Sequence, residues 1–231
     1  MEIEVIPCDM GIEITPIYFP NLGVVEIRLP EEIVSNLWKL IEESEEQPED
    51  MRDELAGNIS SSLRLDKDSP LLEDFNQKVV PALVNEYIQE FGSVLRHFNK
   101  SLHSSLNLES LWVNFQNKHE FNPPHDHSGV YSFVIWMQIP TSFKEQSKLP
   151  IAGMGDFISD IGEPQSNQSV SNFAFTYTNI LGKTEQYMYN MEKEMEACMV
   201  LFPSNLTHQV FPFYESDDVR ISISGNLDLE T

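Results

Sequence analysis

Basic residues are scarce in this chain, and so are cysteines. Fourteen Lys and Arg stand against thirty-seven Asp and Glu, a formal net charge of −23 over 231 residues. That charge repels phosphate backbones at long range and makes nucleic acid an unexpected partner. Only Arg96, His97, Lys100, Lys144 and Lys148 hint at a basic groove, and scattered surface charges account for them as well. The two cysteines, Cys8 and Cys198, lie far apart without metal-type spacing, so neither a disulfide framework nor a zinc ribbon is expected and a reducing compartment fits. No charged leader precedes an apolar stretch, and no run of about 18 apolar residues occurs. The expectation is a cytoplasmic protein with no membrane partner. No internal repeat is found. Hydrophobic residues make up 41% and aromatics 10%, enough for a sizeable core and against disorder. The length suits one generous domain, taken as residues 1–231.

Two regimes of periodicity divide that domain. Residues 1–105 are expected to supply strands and supporting helices. Ile12–Thr15 and Val24–Ile27 mix apolar and polar residues between turn signals, as short strands do. Behind Pro30, Ile33, Val34, Leu37, Leu40 and Ile41 recur at helical spacing, with Glu31 and Glu32 in the first turn. Glu42–Glu54 lacks periodic apolar residues and reads as a solvated loop or frayed helix end. Ser69-Pro70 offers an N-cap and first-turn pair for a second amphipathic helix from Leu71 to Phe91, which Pro81 should kink or split.

From about residue 106 the period becomes two. Leu111, Val113 and Phe115 fall on one face of a strand, as do Tyr131, Phe133, Ile135 and Met137 in Val130–Ile139. Further strands are expected over Asn172–Thr178, Glu185–Met191, Ala197–Phe202 and Val219–Leu227. Thr141–Ser171, rich in Gly, Ser, Pro and Gln, reads as a long irregular binding loop. Helices first and strands after give an α+β, mainly β class, with helices outside an antiparallel sandwich or barrel.

His125 and His127 follow Asn122-Pro123-Pro124 just before a strand. In extended backbone, residues two apart project from one face, so both imidazoles can reach one metal while Asp126 points away. His208, after Phe202-Pro203-Ser204-Asn205-Leu206-Thr207, is the candidate third ligand. Beyond it, Arg220, Ser222 and Ser224 share one face of a strand and Ile221 and Ile223 the other. Such a strand is either simply half-exposed or turns its polar face into a barrel, where a guanidinium needs an anion and a carboxylate can take two parallel hydrogen bonds from it.

This ordering resembles the Fe(II)- and 2-oxoglutarate-dependent oxygenases, whose core is a double-stranded β-helix of jelly-roll, cupin-like type. More narrowly, Asn122-Pro123-Pro124-His125-Asp126-His127, Ser128-Gly129-Val130-Tyr131, Phe202-Pro203-Ser204 with His208, and Arg220-Ile221-Ser222-Ile223-Ser224 look like a subgroup found in bacteria and tailed phages. The similarity spans about residues 110–228, and the core is placed at 106–231. It implies Fe(II) as cofactor and 2-oxoglutarate and O2 as co-substrates, with Arg220 and Ser222 holding the far carboxylate of 2-oxoglutarate. Tyr131 and Asn114 are further candidate contacts. Oxidative decarboxylation to succinate is coupled in that family to oxidation of a substrate, usually by hydroxylation. The substrate is a small molecule or a peptide, and a homodimer stays open, as does the host cytoplasm as location if the chain is phage-encoded.

Where most of the family has a carboxylate two positions after the first His, this chain has His127. Three readings follow: a site of three histidines, Asp126 as the acid ligand, or weakly bound iron on a fold kept for binding. The spacing favours the first. Two other functions compete, a three-His cupin-type dioxygenase without 2-oxoglutarate and a non-catalytic jelly-roll phage structural or interaction protein.

Overall fold

A computed structural model describes residues 22–94, 106–152, 156–158, 164–166 and 169–229. Ile12–Thr15, Cys8, Arg96, His97 and Lys100 lie outside the described residues. The first described elements are strand β1 (Val25–Arg28) and helix α1 (Glu31–Glu46). Pro30 sits in extended backbone at the helix cap, and Ile33, Leu37, Leu40, Ile41 and Ser44 are buried along one stripe. The helix therefore continues to Glu46, beyond the expected loop boundary at Glu42. The stripe carries it, because Ser44 is small enough to be buried and bonds the Ile41 carbonyl at 2.7 Å.

Strand β2 (Ser61–Arg64) follows. Ser69 then caps a 3-10 turn at Pro70–Leu72 by accepting a hydrogen bond from the Leu71 N–H at 3.3 Å. A π-helical turn at Phe75–Val79 leads into helix α2 (Val80–Phe91). Pro81 lacks an N–H, so the wide turn before it marks where regular α-helical bonding is interrupted. Gly92 leaves the helix at a φ of 78°, which glycine adopts without steric cost.

The remaining elements are β3 (Leu106–Gln116), β4 (Asn122–His125), β5 (Tyr131–Gln138), helix α3 (Phe143–Gln146), β6 (Asp156–Ile158), β7 (Pro164–Ser166), β8 (Phe173–Thr178), β9 (Thr184–Tyr189), β10 (Cys198–Pro203), β11 (His208–Val210) and β12 (Arg220–Leu229). One antiparallel sheet has the order β1-β10-β5-β12-β3-β2 and a second β4-β11-β8-β9, while β6 and β7 pair separately. The expected irregular loop thus contains a short helix and a small two-stranded ladder.

Alternation along β5 divides the interior in two. Tyr131, Phe133, Ile135 and Met137 join α1 and α2 in one apolar cluster. Val134 and Trp136 join Phe173, Phe175 and Tyr189 of the second sheet and Val200 and Phe202 of β10 in another. The first sheet is covered by helices on one side and faces the second sheet on the other, a mainly β jelly roll with helices outside. Each large apolar side chain fully buried in these layers contributes about 1.5–3 kcal/mol. Among the described residues, no helix is long and apolar enough to cross a membrane.

Candidate active site

Two histidines of the four-stranded sheet and a third just beyond its edge strand come together. β4 contains Pro123 and Pro124, which cannot donate to a ladder, and it lies at the sheet edge. Its free side needs no partner, and its other side sets His125 directly opposite His208 of β11. His127 follows, anchored by its own N–H to the Ser204 carbonyl at 2.9 Å. The ligand atoms of His125, His127 and His208 all lie within 4.8 Å of one another. Asp126 is exposed and stands outside this group.

Backbone carbonyls orient two of the rings. His125 Nδ1 lies 2.7 Å from the Pro123 oxygen and His208 Nδ1 lies 2.9 Å from the Leu206 oxygen. A carbonyl only accepts, so each Nδ1 carries the hydrogen and each Nε2 presents its lone pair. His127 Nε2 approaches His208 Nε2 at 3.2 Å, and its ring packs 5.4 Å from Trp112. Burial, with nearby His125 adding to it, holds His208 down at about 3 and His127 at about 4. Burial also lowers His125. Neutral imidazoles are the form that binds a metal, so all three are ready ligands near neutral pH.

Across the cleft, the polar face of β12 meets β3 and β2 in register. Ser222 pairs with Asn114, and Asn114 with Ser62, forming one row over three strands. Ser62 Oγ donates to Asn114 Oδ1 at 2.7 Å. In the next row Arg220 pairs with Gln116. Arg220 is 3% exposed, and burial pushes its guanidinium down to about 9. Its Nη2 donates to the Ser171 carbonyl at 2.8 Å and Ser171 Oγ at 2.7 Å, and its Nη1 reaches Gln116 Oε1 at 3.4 Å. The guanidinium also lies 5.1 Å over the Phe213 ring. Arg220 Nε has no hydrogen-bond partner, and no carboxylate pairs with Arg220 among the described residues.

One cleft is lined by all three histidines together with Arg220, Ser222, Asn114, Trp112, Trp136 and Asn122. Its interior space of about 50 Å³ exceeds what one ordered water needs. A divalent metal fits the three inward nitrogens, and an acid fits the orphaned nitrogen of Arg220.

Of the residues singled out in the sequence, His125, His127, His208, Arg220, Ser222 and Asn114 converge here. Tyr131 does not. It is 1% exposed on the opposite face of β5, its ring 5.2 Å from Tyr87 in the helix-covered core. Burial raises its phenol to about 12. Sequence reasoning missed Ser62, Gln116, Asn122, Trp112 and Ser171. Parity along β3 already placed Trp112, Asn114 and Gln116 on one face, a signal that could have found two of them. Ser62 and Ser171 carried no such signal.

No curated protein matches the chain in sequence. Among solved structures it is similar to a prolyl-4-hydroxylase of Pseudomonas putida, with 13% identity, a TM-score of 0.51, and coverage of 91% of this chain and 94% of that one. It is also similar to SnoN, the non-heme alpha ketoglutarate dependent epimerase from nogalamycin biosynthesis, with 11% identity, a TM-score of 0.51, and coverage of 89% and 76%. At these identities the likeness speaks to the fold. A family model described as "Putative 2OG-Fe(II) oxygenase" matches residues 110–226, from β3 to β12 and just over half of the chain. By that match the chain belongs to the 2OG-Fe(II) oxygenase family, with Fe(II) as its cofactor and 2-oxoglutarate and O2 as co-substrates.

Proposed function

We propose that this oxygenase is a hydroxylase in which His125, His127 and His208 hold the iron and Arg220 with Ser222 receives the distal carboxylate of 2-oxoglutarate. The observation that carries this reading is the shared cleft. Three inward-facing imidazole nitrogens and a buried guanidinium without a carboxylate partner among the described residues line the same space. When bound, iron and 2-oxoglutarate together supply the oxidising power for attack on a substrate C–H bond.

The chain's own residues bind and orient. The Pro123 and Leu206 carbonyls fix two imidazole planes, so the metal is held by pre-aligned nitrogens. Arg220, desolvated beneath the cleft, meets a carboxylate with far less screening than a surface arginine. Asn114, oriented by Ser62, offers its amide in the same row as Ser222. Trp112, Trp136, Phe173 and Phe202 exclude water from the walls.

Three neutral ligands leave the site one unit more positive than a set containing a carboxylate. Among the described residues, the charged side chains in the cleft lining are Arg52 and Arg220, beside the neutral histidines, and no acid lines it. A neutral or anionic substrate suits that field and a cationic one does not. The fold is shared with a prolyl-4-hydroxylase, which accords with hydroxylation, and the substrate proposed is a small molecule or peptide. The core cluster joining α1 and α2 to β3, β5 and β12 supports the helices and the strands acting as one catalytic unit.

A cupin-type dioxygenase acting without 2-oxoglutarate gives the buried Arg220 no carboxylate to pair with. The test is therefore succinate formation from 2-oxoglutarate with Fe(II) and O2, followed by mass analysis of oxidised substrate. Succinate above background with a 16-dalton substrate increment supports the reading, and absence of succinate from iron-loaded, folded protein overturns it.

A further inference from the structure

Ser171 occupies a position that its backbone does not favour. It is fully buried at 0% exposure, and its φ is 63°, a left-handed conformation in which glycine is the low-cost residue. Strain of this kind persists where the surroundings over-determine it. Here the Ser171 N–H is tied to the Pro212 carbonyl at 2.8 Å, and its hydroxyl lies 3.1 Å from Thr141 Oγ1. The same residue then gives two acceptors to Arg220, its carbonyl at 2.8 Å and its hydroxyl at 2.7 Å.

A glycine would keep the carbonyl and relieve the backbone, but it would delete the hydroxyl. A hydroxyl that accepts from Arg220 still has its own hydrogen to donate, and Thr141 Oγ1 is placed to take it. The hydroxyl is thus fixed from one side and fixes Arg220 from the other. Gln116 at 3.4 Å is a weak second hold, and the Phe213 ring supplies a face but no hydrogen bond in the plane.

We propose that Ser171 is a positioning residue for the co-substrate: held by Thr141, it aims the Arg220 guanidinium at the distal carboxylate of 2-oxoglutarate. The inference rests on the reading of Arg220 as the receiver of that carboxylate. Preorganisation of this sort is expressed as affinity, because a guanidinium already held in place loses less freedom when the anion arrives. It acts only on ligands that possess the distal carboxylate.

The test is calorimetric binding of 2-oxoglutarate, and of 2-oxobutyrate, which lacks the second carboxylate, to protein loaded with Fe(II) without oxygen. Ser171→Gly and Ser171→Ala are each expected to weaken 2-oxoglutarate by about tenfold, the scale of one hydrogen bond to a charged group, and to leave 2-oxobutyrate unchanged. Ser171→Gly should melt above Ser171→Ala, because only alanine keeps the left-handed strain. Equal 2-oxoglutarate losses despite different stabilities separate positioning from general damage. Thr141→Val should give a smaller loss of the same kind.

Wild-type 2-oxoglutarate affinity in both Ser171 variants, or equal weakening of the two keto acids, overturns the proposal. Arg220→Gln separates the two levels. If it loses its preference for 2-oxoglutarate while the Ser171 variants keep theirs, Ser171 alone is wrong. If it binds 2-oxoglutarate as wild type does, the Arg220 reading falls and the Ser171 proposal falls with it.

Discussion

The two faces of the six-stranded sheet are built from the same strands and do opposite work. On the helix side, β5 presents Tyr131, Phe133, Ile135 and Met137, and β12 presents Ile221, Ile223 and Leu227, to the side chains of α1 and α2. On the cleft side, β12 presents Arg220, Ser222 and Ser224 beside Asn114 and Gln116 of β3. The helix side gains stability by removing apolar surface from water. The cleft side carries desolvation of a guanidinium without a counter-ion among the described residues, a cost that the other face offsets. Function is placed where one face of a strand can be polar because its reverse is sealed.

Changes on the two faces should separate metal binding from stability. His208→Ala removes one of the three proposed ligands and should lower iron affinity by more than about 100-fold, beyond the range for loss of an outer partner. Iron retention after gel filtration measures it, and retained stoichiometric iron would remove His208 from the ligand set. Leu37→Ala on the helix side should cost about 2–5 kcal/mol in chemical denaturation while the folded fraction keeps its iron affinity. Loss of affinity in that variant would break the division between faces.

A pH effect belongs to the metal-free cleft. His127 and His208 titrate at about 4 and about 3 in the fold against about 6.5 in an unfolded chain. The unfolded state takes up protons that the folded state refuses, so their contribution is complete above the unfolded value. It is lost as pH falls from about 6.5 through the two folded values. The melting temperature of metal-free protein should therefore fall over that range, and His208→Gln should make the fall shallower. An identical slope in the variant would count against a neutral buried pair.

Two small effects sharpen the same contrast. Tyr131→Phe lies on the helix side of β5 and should leave 2-oxoglutarate affinity unchanged in calorimetry, although its phenol is buried. Asp126→Ala should alter stability by no more than about 0.5 kcal/mol and leave iron retention as it is. Iron loss in that variant would replace the three-histidine assignment with a carboxylate ligand.

Much of this contrast was legible from residue order. Period-two alternation placed Tyr131, Phe133, Ile135 and Met137 together and opposed Arg220 to Ile221, and both groupings hold in the structure. Alternation separates two faces without naming which one is inside the cleft. That is why Tyr131 was expected near the co-substrate: only pairing of Ser222 with Trp136 shows that the cleft face of β5 is the even-numbered one. β4 and β11 were also hidden, because a strand containing Pro123-Pro124 and one of three residues have little local signal and exist through pairing across the chain.

By itself, the sequence determined the local chemistry: two imidazoles two residues apart, a third beyond a strand and turn, and a polar stripe led by Arg220. These follow from backbone period and side-chain type, which are local properties. Tertiary structure alone decided that His125 stands opposite His208 and that Ser171 in strained backbone holds Arg220. Such contacts join residues far apart in the chain. Their geometry depends on sheet register and core packing, which no local pattern encodes.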